Sequence, residues 1–170
     1  MMADALKTDA AAHLDPMDGR SLARLAAVQA LYQMEHAGIG IEAVLREFRD
    51  HRLGGELDGE AIRHADEAYF EDLVRGVLTL QGKIDPFIAR HLREGWSLKR
   101  IDATARAILR CGVYELIKRA DVPGKVIIDQ SVDLANAFFD EGSDEASFIN
   151  AVLDKAGRDV RPDEMAPRAS

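Results

Sequence analysis

Cysteine is nearly missing from this sequence: Cys111 is the only one, which excludes an internal disulfide and a thiolate zinc site. Proline (5 residues) and aromatics (6%) are sparse, which disfavours a β-sandwich or barrel built from aromatic and β-branched strands. No apolar run approaches the length of a membrane span. Also absent are the GxxxxGK[ST] phosphate loop, a GxGxxG after a strand, the GxSxG elbow and the HExxH zinc spacing. No catalytic residue is therefore assigned, and no metal or cofactor is expected. What is present is an ordinary globular composition, 47% hydrophobic and 31% charged over 170 residues. That suits one domain, or two small subdomains sharing a core. The first eighteen residues hold four Asp, one Lys and no continuous apolar stretch, unlike a signal or transit peptide. The expectation is a soluble, cytoplasmic protein with a flexible leader over 1–18, a helical domain over 19–160 and a flexible tail over 161–170.

The net charge of −8 is unevenly spread. Residues 1–82 carry 8 basic and 15 acidic side chains, residues 83–119 carry 9 and 4, and residues 120–170 carry 5 and 11. A basic middle between acidic flanks suits either a local anion-binding patch or solvated helices balanced by their neighbours.

Hydrophobic periodicity predicts an all-α fold of about seven helices. The first opens at Ser21 as N-cap, carries Leu22, Leu25, Val28, Leu31 and Tyr32, and stops at Gly38 and Gly40. A second covers Ile41 to Arg52, and a glycine-rich loop follows from Leu53 to Gly59. The third runs from about Glu60 to Leu80 and breaks at Gly82. Asp85-Pro86 reads as a cap with proline at the first helical position, opening a fourth helix to Gly95. Fifth, sixth and seventh helices carry Ile101–Leu116, Lys125–Phe139 and the stretch after Gly142-Ser143-Asp144. The five histidines read as surface or helix-end residues, Cys111 as a buried thiol, Glu115 as a partly buried hydrogen-bonded acid, and Asn150 as a cap or cross-link between helices.

Three segments carry a more specific signal. They are Ala23-Arg24-Leu25-Ala26-Ala27-Val28-Gln29-Ala30-Leu31-Tyr32, Ala107–Leu116 with Asp121-Val122-Pro123-Gly124-Lys125-Val126, and Ser147-Phe148-Ile149-Asn150-Ala151-Val152-Leu153-Asp154-Lys155. In this order and spacing the chain resembles the NusB family of bacterial transcription antitermination factors over about residues 20–160. The resemblance implies two three-helix subdomains. It implies binding of the boxA element of nascent RNA beside NusE, a ribosomal small-subunit protein, within the antitermination complex on RNA polymerase, notably on ribosomal RNA operons. It also allows a homodimer in the free state. The family fold also heads some RNA cytosine methyltransferases; a chain ending at Ser170 points to the stand-alone form.

The resemblance further implies which residues touch what. Arg20 and Arg24, four apart near a helix start, match phosphate contacts, although Ser21 and Leu22 stand where relatives carry further basic residues. Asp144 and Phe148, at the start of the last helix, match positions that approach RNA, with Phe148 suited to stack on an unpaired base. Ser147 is another position often basic in the family. Tyr32 matches the partner surface for NusE, and Ala105 replaces an acid of relatives there. The competing reading is a helical protein-binding adaptor without direct RNA contact.

Overall fold

The computed structural model describes residues 19–53 and 65–165. The proposed leader, most of the glycine-rich loop, and residues 60–64 and 166–170 lie outside them. Among the described residues all regular structure is helical: α1 Gly19–Ala37, α2 Ile41–Phe48, α3 Glu67–Arg90, α4 Ala103–Lys118, α5 Gly124–Phe138, α6 Asp144–Val160 and α7 Pro162–Met165. No described helix is long and apolar enough to cross a membrane. The chain divides into two compact units, residues 1–78 and 79–170, each with its own packing.

In the first unit, α1 is buried all round from Ser21 to Leu31. Its alanines and leucines carry almost no polar surface, and a helix apolar on every side belongs in a core rather than at its edge. Ser21 is therefore not a cap; it lies inside the helix at 3% exposure. The helix ends at Gly38, whose φ of +65° is a conformation glycine adopts without strain, and whose N–H bonds Met34 O at 3.0 Å. α2 turns Val44, Leu45 and Phe48 inward, and the Phe48 ring stacks on Phe70 of α3 with centroids 5.4 Å apart. Beyond Phe48 the backbone widens into one π-helical turn, Arg49–Leu53. Arg75 of α3 forms a fork to both Glu42 carboxylate oxygens (2.9 and 3.2 Å) and reaches Glu71 (2.8 Å).

The expected break at Gly82 does not occur: α3 is one helix of 24 residues with Pro86 inside it. The apolar stripe explains why. Val77, Ile84 and Ile88 are fully buried and fall at spacings of seven and four, so the inward face stays in register across both residues. Burying two isoleucines stabilises by about 3–6 kcal/mol, which offsets the roughly 3 kcal/mol cost of an interior proline. Asp85 is consequently not a cap. It accepts two bonds from Arg110 of α4, both at 2.9 Å.

In the second unit α4, α5 and α6 pack mutually. Asp102 caps α4, accepting from the N–H groups of Thr104 and Ala105 at 2.8 and 3.2 Å. Ser143 caps α6 through Ala146 N–H at 3.2 Å. Where the three helices meet stands Gly112. A Cβ there would lie 2.9 Å from a Leu153 methyl and 3.2 Å from Ser131 Oγ, so the missing side chain is what lets α5 and α6 close on α4. The chain does not leave the fold at residue 160. Arg161 is the first residue of a short clamp, with α7 after it: Met165 lies over Gly124 and Gly157, and Glu164 accepts from Gly124 N–H.

Candidate nucleic-acid interface

The residues expected to meet RNA fall into two groups, one in each unit. In the first, α1 places Arg20 and Arg24 one turn apart, and both guanidiniums share the ring of Tyr69, at 4.8 and 5.3 Å from its centroid. The pair is not equivalent. Arg20 is exposed, whereas Arg24 is 3% exposed and donates from Nη2 to Tyr69 Oη at 3.2 Å. The two arginines that the resemblance pairs as phosphate contacts thus differ in exposure: Arg20 is the outer cation, and Arg24 is buried. The neutral residues at 21 and 22 have the same explanation. Both side chains are in the core, at 3% and 0% exposure, so neither position offers room for a solvated phosphate contact.

In the second unit, Asp144 is exposed in the first turn of α6, and Phe148 stands one turn later, half-buried. Sequence reading missed the neighbour that Phe148 meets. Trp96, in the loop between α3 and α4, lies with its ring 6.2 Å from that of Phe148, tilted 35°. It is 55% exposed. The signal was available, because a lone tryptophan between arginine and lysine residues is unusual in an otherwise aromatic-poor chain.

Tyr32, near the end of α1, is 40% exposed. Its ring stacks on His36 with centroids 4.0 Å apart and planes 16° apart, which holds the phenol against the helix. Ala105 is buried at 1% exposure, so that position offers no surface. Cys111 is buried, as its apolar surroundings suggested. Glu115 is more deeply buried than expected, at 1% exposure.

A groove of about 690 Å³ opens between α5 and α6, lined by Asp129, Asp133, Asn136, Glu141, Ser147 and Asn150 among others. Asn150 is exposed on its wall; it does not cross-link helices. The groove wall and the Asp129 carboxylate one turn away push the Asp133 carboxyl above its ordinary range. Its lining has three carboxylates and no basic side chain, histidine or cysteine, so it repels phosphate and has no base beside the Ser147 hydroxyl.

Comparison with known proteins agrees with this architecture. Residues 21–158 match the NusB family model. A transcription antitermination protein NusB of Caulobacter vibrioides is 54% identical over 142 residues, 84% of this chain and 94% of the relative. The solved T. maritima NusB superposes with a TM-score of 0.68 at 30% identity, covering 89% of this chain and 95% of that one. A structure of antitermination factors NusB and NusE in complex with double-stranded RNA matches with a TM-score of 0.64 at 26% identity, over 84% of this chain and 98% of that one. The chain belongs to the NusB family.

Proposed function

We propose that this protein is a transcription antitermination factor that works by binding alone. It takes up boxA RNA together with NusE and joins the antitermination complex on RNA polymerase, in the cytoplasm, notably on ribosomal RNA operons. The observation that carries the proposal is the likeness over nearly the whole fold to a NusB whose structure holds both NusE and RNA. In this reading Arg20 meets a phosphate, backed by the Tyr69 ring that Arg24 holds from below. Asp144 accepts a hydrogen bond from a base edge, Phe148 stacks on a base, and the Tyr32 face receives NusE. A homodimer of the free protein across the RNA face competes with RNA and dissociates as RNA binds.

Arg20→Ala tests the phosphate contact. The side chain is exposed, so the melting temperature will stay within about 2 °C of the parent, as for surface substitutions generally. The slope of log K against log salt for a boxA oligonucleotide will shrink by about 0.7, the value for one lost single-strand phosphate contact. An unchanged slope and affinity would remove Arg20 from the interface and favour the protein-binding adaptor.

A further inference from the structure

The structure sorts the nine cations of the basic middle, and the sorting points to one loop. Arg90 pairs with Asp159 at 3.2 Å, Arg110 with Asp85 at 2.9 Å and Arg119 with Asp121 at 2.9 Å. Arg106 is 9% exposed and donates to the carbonyls of Leu98 and Ile101 at 3.0 and 2.7 Å. Three of the five that remain are Arg93, Lys99 and Arg100. All are exposed, all lie within four residues of Trp96, and none forms an ion pair among the described residues. The loop around them is shaped, with Trp96 N–H donating to Arg93 O and Arg100 N–H to Ser97 O, both at 3.0 Å.

Among the described residues, Trp96 is the most exposed of the large hydrophobic side chains. Its ring lies against Phe148 while more than half of the residue remains in water. An exposed indole seated against a phenyl ring and flanked by three unpaired cations is the pairing that single-stranded nucleic acid requires. Charge holds the backbone, and a π-face receives an unpaired base of any identity. A neutral protein partner explains the aromatic pair but not three exposed cations against one carboxylate, Glu94, in this loop of a chain of net charge −8.

We infer that Trp96 is a base-stacking residue: together with Phe148 it forms a two-ring platform for an unpaired nucleotide of RNA, with Arg93, Lys99 and Arg100 contacting the flanking phosphates. The inference deepens the RNA-binding proposal and rests on it. The molecule supplies its own reporter, because Trp96 is its only tryptophan. Stacking on a base quenches indole emission, so binding at this loop is seen directly.

The test is a titration of the full-length protein with a single-stranded boxA oligonucleotide, followed in two channels. Anisotropy of an end-label on the RNA reports binding anywhere on the protein, and Trp96 emission reports binding at the platform. The expected result is quenching with the same midpoint as the anisotropy change. Trp96→Ala will lose about tenfold in affinity, Trp96→Phe will keep most of it, and both will melt like the parent. Lys99→Ala/Arg100→Ala will shrink the salt slope by about 1.4, two single-strand contacts. An anisotropy change with constant emission, and Trp96→Ala binding like the parent, would overturn the platform and leave RNA binding intact. Absence of an anisotropy change would overturn both. Emission that varies with protein concentration alone, and does not respond to RNA, would assign this face to a second copy of the chain and overturn the inference.

Discussion

Replacing Arg161 with alanine will lower the stability of this protein by about 2–4 kcal/mol, although the residue lies beyond the family match and next to the C-terminus. Its side chain is 10% exposed. The guanidinium donates to four backbone carbonyls: Leu116 at 3.0 Å, Val122 at 2.6 Å, Glu115 at 3.2 Å and Arg119 at 2.7 Å. These acceptors belong to the end of α4 and the turn after it, where the helix end carries partial negative charge; Glu115 O and Arg119 O also accept from the N–H groups of Arg119 and Val122. One planar cation with a fixed fork of donors satisfies several at once. Alanine leaves them in a region too closed for full hydration. Lysine will restore less than half of the loss, because a point charge cannot span four acceptors.

The clamp also has a pH dependence. The N–H of Gly124 and then Arg161 hold the Glu164 carboxyl below its ordinary range. Because the folded-state value is the lower one, its contribution is present above the unfolded value and disappears as pH falls through the folded one. Glu164→Gln will therefore narrow the stability gap to the parent as the solution is acidified. Thermal unfolding of the parent, Arg161→Ala and Arg161→Lys at neutral pH settles the main point. A midpoint for Arg161→Ala within 2 °C of the parent would show that the clamp contributes nothing.

The second large effect is at Arg24. Arg24→Ala will cost about 3 kcal/mol, a drop of about 6–12 °C in Tm for a chain of this size. It removes a buried cation from the Tyr69 hydroxyl and ring and leaves a cavity in the core. Loss of RNA affinity will accompany it, because the Tyr69 ring beneath Arg20 then loses the hold of Arg24 on its hydroxyl. Arg24→Met separates the two roles. It keeps the apolar stem and much of the volume, so stability will recover in part while the hold on the Tyr69 hydroxyl stays lost. If Arg24→Ala binds RNA weakly yet melts like the parent, Arg24 is a direct phosphate contact and its burial is immaterial.

Arg24 also shows where sequence reading ends. A spacing of four correctly placed Arg20 and Arg24 on one side of α1, but spacing cannot tell that α1 is enclosed on all sides. That depends on what packs against it. Helix starts were legible only in part: Ser21 and Asp85 read as caps and lie inside helices, while Asp102, the cap of α4, was not read as one. The opening of a helix at Gly142-Ser143-Asp144 was legible, and Ser143 caps it through a local bond from Ala146 N–H. The continuity of α3 was not legible, since Gly82 and Asp85-Pro86 are strong local stop and start signals. They are overridden only by the buried faces of Ile84 and Ile88, a tertiary effect. Arg161-Pro162-Asp163-Glu164 did carry a local hint, proline followed by acids at a helix start, but nothing local announces that Arg161 reaches back to the end of α4.

The central claim is that this protein reads RNA jointly with NusE. Its net charge of −8 repels RNA at long range, and the core positions of residues 21 and 22 leave the start of α1 with few outward cations. Alone it will therefore bind boxA RNA more weakly than with NusE, through the few phosphate contacts that Arg20 and the Trp96 loop supply. A second protein that completes the RNA path couples the two ligands, and coupling is reciprocal: RNA tightens NusE by the factor with which NusE tightens RNA. The direct measurement is fluorescence anisotropy with labelled boxA RNA at near-physiological salt, without and with saturating NusE, repeated with labelled NusE and saturating RNA. The expected result is a gain of about tenfold or more, equal in the two directions, corresponding to about 1.4 kcal/mol or more. RNA affinities that are the same with and without NusE would contradict the account.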